Sequence, residues 1–191
     1  MAVLICPGVH LPELTDCFLA HLNVDLYDYR VFPIDRFPAY SGLHILKFIW
    51  HEFVSTPNDA TPPRLEVPLL FVSFSAGVVG AIAAAKVWQT LGGTIKAFIA
   101  VDGWGVPLYG DFPIYRVSHD HFTHWSSALL GGGQTSFYTD PPVEHLELWR
   151  SPHTAMGYIV NVAQPPSATK TIAANFIASL LVDYGEGRGR D

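Results

Sequence analysis

The chain has little of what marks an extracellular, nucleic-acid-binding or disordered protein. Cysteine occurs only twice in 191 residues, at Cys6 and Cys17. Two thiols make no disulfide framework, and buried free thiols are the expected state. Lys and Arg number 11 against 17 Asp and Glu, a net charge of −6, and the basic residues are thinly spread. Without a basic stripe to neutralise phosphates, nucleic acid is not an expected partner. Only 15% of residues are charged while 49% are hydrophobic, which is unlike disordered, collagenous or coiled-coil sequences. The opening Met-Ala-Val-Leu-Ile-Cys-Pro-Gly lacks a basic segment, and its apolar run is too short for a signal peptide, so a cytoplasmic location is expected. No internal repeat is visible.

Mean hydropathy is high, at +0.24. The most apolar uncharged stretch, Val67 to Ala85, approaches the roughly 20 residues of a membrane-spanning helix. Its make-up opposes a span. Pro68 lies near the start, Ser73 and Ser75 interrupt the middle, and a Val/Leu/Phe-rich part gives way to an Ala/Gly-rich part. A buried strand, a sharp turn and a buried helix explain that division. The same alternation runs along the chain. Strands are expected at Ala2 to Cys6, Leu26 to Phe32, Val67 to Ser73, Ile95 to Val101 and His145 to Arg150. Helices are expected from Pro12, over Leu43 to Val54, over Ala76 to Leu91 with Gly92-Gly93 as its stop, and over Thr169 to Val182. Pro57 to Pro63 reads as a loop and Gly185 to Asp191 as a frayed tail. Strands apolar on both faces and alternating with helices imply an α/β class protein, a three-layer α/β/α sandwich with a mostly parallel sheet. Residues 1–191 are expected to form one domain, with the aromatic, Gly-rich segment 103–142 as a lid-like insertion hinged at Gly131-Gly132-Gly133.

The turn at Ser73-Phe74-Ser75-Ala76-Gly77 carries chemistry. A nucleophile elbow has the pattern small, x, nucleophile, x, small, because strand and helix collide unless the residues two before and two after the nucleophile are small. Ser73 and Gly77 satisfy it, and Gly80, Ala81 and Ala84 continue a small helix face. The free N–H groups at the helix start suit a developing oxyanion. The competing reading is an ordinary strand-to-helix connection with Ser75 as N-cap.

On these residues the chain resembles the α/β-hydrolase family, over most of its length and as a small version of that fold. Val3-Leu4-Ile5-Cys6-Pro7-Gly8-Val9-His10 is similar to the strand and loop that supply the second oxyanion N–H there. The resemblance implies an acyl-ester or thioester hydrolase with Ser75 as nucleophile, and backbone N–H groups of Ala76 and of Val9 or His10 as oxyanion donors. The family order of Ser, acid, His points to Asp102, directly after the strand Ile95 to Val101, as the acid. That placement is one strand earlier than the family's usual one. His153, after Ser151-Pro152, is the first choice of base, with His124 and His121 as alternatives. No cofactor and no metal are needed for that chemistry.

Two other readings compete. His119-Asp120-His121-Phe122-Thr123-His124 places three of the nine histidines in six residues, a spacing that can bind zinc. The pattern is similar to the histidine motif of the metallo-β-lactamase family, although Thr123 stands where that family has Asp. The chain could also be a non-catalytic binding protein on the same fold. In either α/β-hydrolase-like reading, the aromatics Trp104, Tyr109, Phe112, Tyr115, Phe122, Trp125, Phe137 and Tyr138 would line or cover an apolar pocket for a small acyl substrate or ligand.

Overall fold

The computed structural model describes residues 2–54, 65–133, 135–161 and 169–189. The Pro57 to Pro63 loop lies outside them. Ala2–Cys6 forms β1, and every residue of it is buried. It is followed by α1 (Glu13–His21), β2 (Val24–Leu26), β3 (Tyr29–Val31) and α2 (Gly42–Phe53). The Val67 to Ala85 stretch resolves into β4 (Leu69–Phe74) and the start of α3 (Ala76–Thr90). Among the described residues no helix is long and apolar enough to cross a membrane. Then come β5 (Ile95–Val101), β6 (Ile114–Ser118), α4 (His121–Ala128), β7 (Thr135–Thr139), α5 (His145–Arg150), β8 (Met156–Asn161), β9 (Thr169–Ile172), α6 (Ala173–Asp183) and β10 (Gly187–Gly189).

Eight strands form one sheet in the order β3-β1-β4-β5-β6-β7-β8-β9. From β3 to β7 the pairs are parallel, and the last two pairs are antiparallel. Because side chains alternate across a strand, β1 sends Val3 and Ile5 to one core, and Ala2, Leu4 and Cys6 to the other. Helices α2 and α3 close the second core, while α1, α5 and α6 close the first. The result is the three-layer α/β/α sandwich with a mostly parallel sheet.

Four expectations need correction. His145 to Arg150 is the helix α5, not a strand. Leu146 and Leu148 alternate with polar residues as in a strand, but the adjacent buried positions Leu148 and Trp149 fit a helix turn packed on one core. Thr169 to Ile172 is the sheet-edge strand β9, and the helix begins only at Ala173. The segment 103–142 contributes β6 and β7 to the central sheet, and it buries Phe112 and Phe137 in the two cores. The glycines expected as its hinge are pinned: a Cβ on Gly133 would meet the Ile114 carbonyl, and buried Arg116 donates to the Gly131 carbonyl at 2.7 Å. The tail is not wholly frayed either. Gly187–Gly189 pairs antiparallel with β2, and Glu186 beside it is buried next to Lys96.

Candidate functional site

Parallel pairing puts the carboxyl ends of β1, β4, β5, β6 and β7 at one edge of the sheet, the side on which sites form in open α/β sheets. The register aligns Cys6 with Ser73, Phe74 with Val101, Val101 with Val117 and Ser118 with Tyr138. The residues that follow these ends, among them Gly8, Ser75, Asp102 and His119, are thereby gathered.

Ser75 joins β4 to α3 with φ 51° and ψ −123°, and Asp102 has φ 54°. Left-handed backbone at a non-glycine residue is uncommon and costs on the order of 1–3 kcal/mol when held in place. The neighbouring strand holds each one: the Ser75 amide donates to the Val101 carbonyl at 2.9 Å, and the Asp102 amide to the Val117 carbonyl at 2.7 Å. The elbow leaves no room around it. A Cβ on Gly77 would lie 2.3 Å from the Pro7 carbonyl oxygen and 2.4 Å from that of Cys6, and one on Gly8 would lie 2.9 Å from Ser75 Cβ. Glycine at 77 is therefore required by close backbone approach, and the Pro7-Gly8 loop runs directly beside Ser75. Val9, the next residue, is exposed, and the His10 ring tilts against Phe74. Burial pushes the His10 imidazole below its ordinary value.

The structure brings Ser75 and Asp102 together through His145. His145 Nε2 lies 2.9 Å from Ser75 Oγ, and its Nδ1 lies 2.6 Å from Asp102 Oδ2. The expected base, His153, is elsewhere: it is exposed, with its ring 4.0 Å from that of His21. His121 and His124 flank Tyr138, at 5.0 and 5.2 Å between ring centroids, and neither hydrogen-bonds Ser75. The three-histidine cluster is thus divided, because the end of β6 turns His119 away toward Asp102. Sequence reasoning missed His145 by reading it as the first residue of a strand. Its ring is set by stacking: Phe74 lies between His145 and Trp149, 4.8 Å from each ring, and Trp149 stacks on Phe18 at 3.6 Å. Offset aromatic stacking of this kind fixes ring planes as well as burying area.

Asp102 is buried and serves two histidines. Its Oδ1 accepts from the His119 backbone N–H at 3.0 Å. The His119 Nδ1 lies 2.9 Å from Oδ1 and 2.7 Å from Oδ2. Burial alone would push the Asp102 carboxyl up, but the hydrogen bonds from His119 and His145 outweigh it and hold the group below the ordinary carboxylate value. The same contact pushes the His119 imidazole up, against the opposing effect of burial. A pocket of about 420 Å³ opens over these groups, lined also by Ala76, Val79, Trp104 and Val106. The Trp104 indole N–H donates to Ser126 Oγ of α4 at 3.1 Å. Chemically, the arrangement offers a hydroxyl beside an imidazole whose far nitrogen is held by a carboxylate, facing a mostly apolar pocket.

No family model and no curated protein matches the chain. Among solved structures, the chain is similar to YbtT, a type II thioesterase from the yersiniabactin NRPS/PKS biosynthetic pathway. The identity is 13%, the match covers 80% of this chain and 90% of that one, and the TM-score is 0.48.

Proposed function

We propose that the protein is a serine hydrolase acting on acyl esters or thioesters, with Ser75 as nucleophile, His145 as base and Asp102 as its orienting acid. The observation that carries the reading is the continuous hydrogen-bond line from Ser75 Oγ through the His145 ring to Asp102 Oδ2, at 2.9 and 2.6 Å. A general base must come within about 3 Å of the proton it takes. In the reaction Ser75 Oγ attacks the carbonyl carbon while His145 Nε2 accepts its proton. The tetrahedral oxyanion collapses, the leaving alkoxide or thiolate departs with that proton, and an acyl-enzyme remains. Water then repeats the cycle and releases the acid. Asp102 keeps the His145 proton on Nδ1, so that Nε2 presents its lone pair to Ser75, and it stabilises the imidazolium. The backbone N–H groups of Ala76, at the start of α3, and of Val9, beyond Gly8, serve the oxyanion. The apolar lining at Val79, Trp104 and Val106 favours an uncharged acyl group over a charged metabolite.

A fluorophosphonate probe tests the assignment. The expected result is labelling of the wild type that disappears in Ser75→Ala. Equal labelling of both, or none in either, would overturn it.

A further inference from the structure

Two histidines converge on Asp102, and only one of them touches Ser75. One atom each from Asp102, His119 and His145 places three potential ligand atoms within 4.8 Å of one another. They come from three separate elements, the ends of β5 and β6 and the start of α5, and all three residues border the same pocket. An acid that only oriented a base would need one imidazole. We propose that Asp102, His119 and His145 form a divalent-metal site suited to zinc, and that metal bound there switches the nucleophile off. The binding rests on the cluster alone, whereas the switch rests on the serine-hydrolase reading above.

The donor set is two imidazole nitrogens and a carboxylate oxygen, which suits zinc, and the three residues line a pocket that water can enter. Zinc–ligand bonds of about 2.0–2.2 Å put neighbouring ligand atoms of a tetrahedron roughly 3.3–3.5 Å apart. Nδ1 of His145 and of His119 now stand 2.6 and 2.7 Å from Asp102 Oδ2, so each imidazole needs to part from the carboxylate by less than about 1 Å, while all three ligand atoms already lie within 4.8 Å of one another. The two rings already point the same nitrogen, Nδ1, at the carboxylate.

The switch follows from the tautomer. With Nδ1 free to donate to Asp102, the lone pair of His145 lies on Nε2 and accepts the Ser75 proton. Coordination at Nδ1 moves the ring's one proton to Nε2, which then faces Ser75 as a donor. On each ring the Nδ1–H bond gives way to an Nε2–H bond by exchange with water, zinc takes the freed Nδ1 lone pair, and each neutral ring keeps one proton. Ser75 loses its base while the pocket stays open.

The test titrates the purified full chain with zinc against a chromophoric chelator, and in parallel measures fluorophosphonate labelling in zinc and in EDTA. The expected result is one zinc per chain and a labelling rate that falls at least about tenfold in zinc and returns in EDTA. Loss even of a partner outside the ligand set weakens metal sites about 10–100-fold, so His119→Gln should lose at least about tenfold in zinc affinity. His121→Gln and His124→Gln should bind zinc as the wild type does. His145→Gln, read by the chelator titration alone, serves if His119→Gln fails to fold. Absence of stoichiometric zinc, unchanged affinity in the ligand variant, or loss of zinc in His121→Gln would overturn the site. Zinc bound with labelling unchanged would overturn the switch. A wild type unlabelled even in EDTA would remove the serine-hydrolase reading and leave the zinc titration to decide the site.

Discussion

The two sides of the candidate site are built by different means. On the Ser75 side, backbone meets backbone: β1, the Pro7-Gly8 loop and the first turn of α3 approach so closely that a Cβ at Gly77 would lie 2.3 Å from a carbonyl oxygen. On the His145 side, side chains do the placing. Phe74, Trp149 and Phe18 form a stack that sets the imidazole plane, and Asp102 holds its far nitrogen. The difference teaches that the position of Ser75 is a property of the fold itself, while that of His145 belongs to a side-chain cluster packed on the sheet. Changes that crowd the backbone packing of the first side should appear as lost stability, and changes to the hydrogen-bonded side chains Ser75, His145 and Asp102 as lost reaction.

The sharpest test of that division is chemical. Ser75→Ala and His145→Ala should each lower the rate of acyl-ester turnover on the order of 10⁴-fold or more, with Asp102→Asn costing about 10³–10⁴-fold. The folded fraction by circular dichroism should stay at the wild-type level in all three. Gly77→Ala should do the reverse. Crowding two carbonyls should cost about 1–3 kcal/mol, read as a fall in melting temperature of roughly 2–4 °C per kcal/mol. A Gly77→Ala protein that melts like the wild type would break the comparison.

The opposite end of β5 from Asp102 gives a smaller, pH-dependent effect. Glu186 follows α6 and sits buried beside Lys96 of β5, and burial pushes its carboxyl above the ordinary value of 4.5 despite the lysine. The native state therefore holds this proton more tightly than the unfolded chain does. Its contribution is fully present below pH 4.5 and is lost as pH rises through the elevated native value. Urea midpoints should show the wild type losing stability relative to Glu186→Gln as the pH is raised from 4 to 7. A constant difference across that range would contradict the assignment. The smallest effect is expected at His153, which lies against His21 and away from Ser75. His153→Ala should leave turnover within about twofold of the wild type, since surface changes rarely reach a distant site. A loss comparable to that of His145→Ala would move the base back to the position first read from the sequence.

What the sequence could disclose follows the same division. The strands β1, β4 and β5 are continuous apolar runs, and α3 is a small-residue helix, so the parallel centre of the sheet and the elbow at Ser75 are readable from pattern. Asp102 is readable too, as a carboxylate at a strand end. The later strands hide because their patterns are mixed. In β6, Arg116 interrupts Ile114-Tyr115-Arg116-Val117-Ser118, yet it is buried and donates to the carbonyls of Gly131 and Val106. Burial lowers its guanidinium value to about 10. A cation that reads as a surface residue is here a brace across a loop. The short helix α5 hides for another reason. Six residues cannot separate a period of 2 from one of 3.6, and its place is decided by Trp149 meeting Phe18, a contact 131 positions away in the chain, numbers no local pattern carries.

The two left-handed residues also have a bearing on motion. Ser75 and Asp102 are both held by their amides, one to β5 and the other to β6. If β5 and β6 part at this edge, Asp102 loses its anchor and can relax to an ordinary backbone conformation, and Ser75 loses the rigid neighbour to which it is tied. A single local opening then displaces Asp102 and Ser75 together, without global unfolding. Slow amide exchange at 75 and 102 would accordingly mark a site preorganised in the resting protein, with its strain sustained by the sheet.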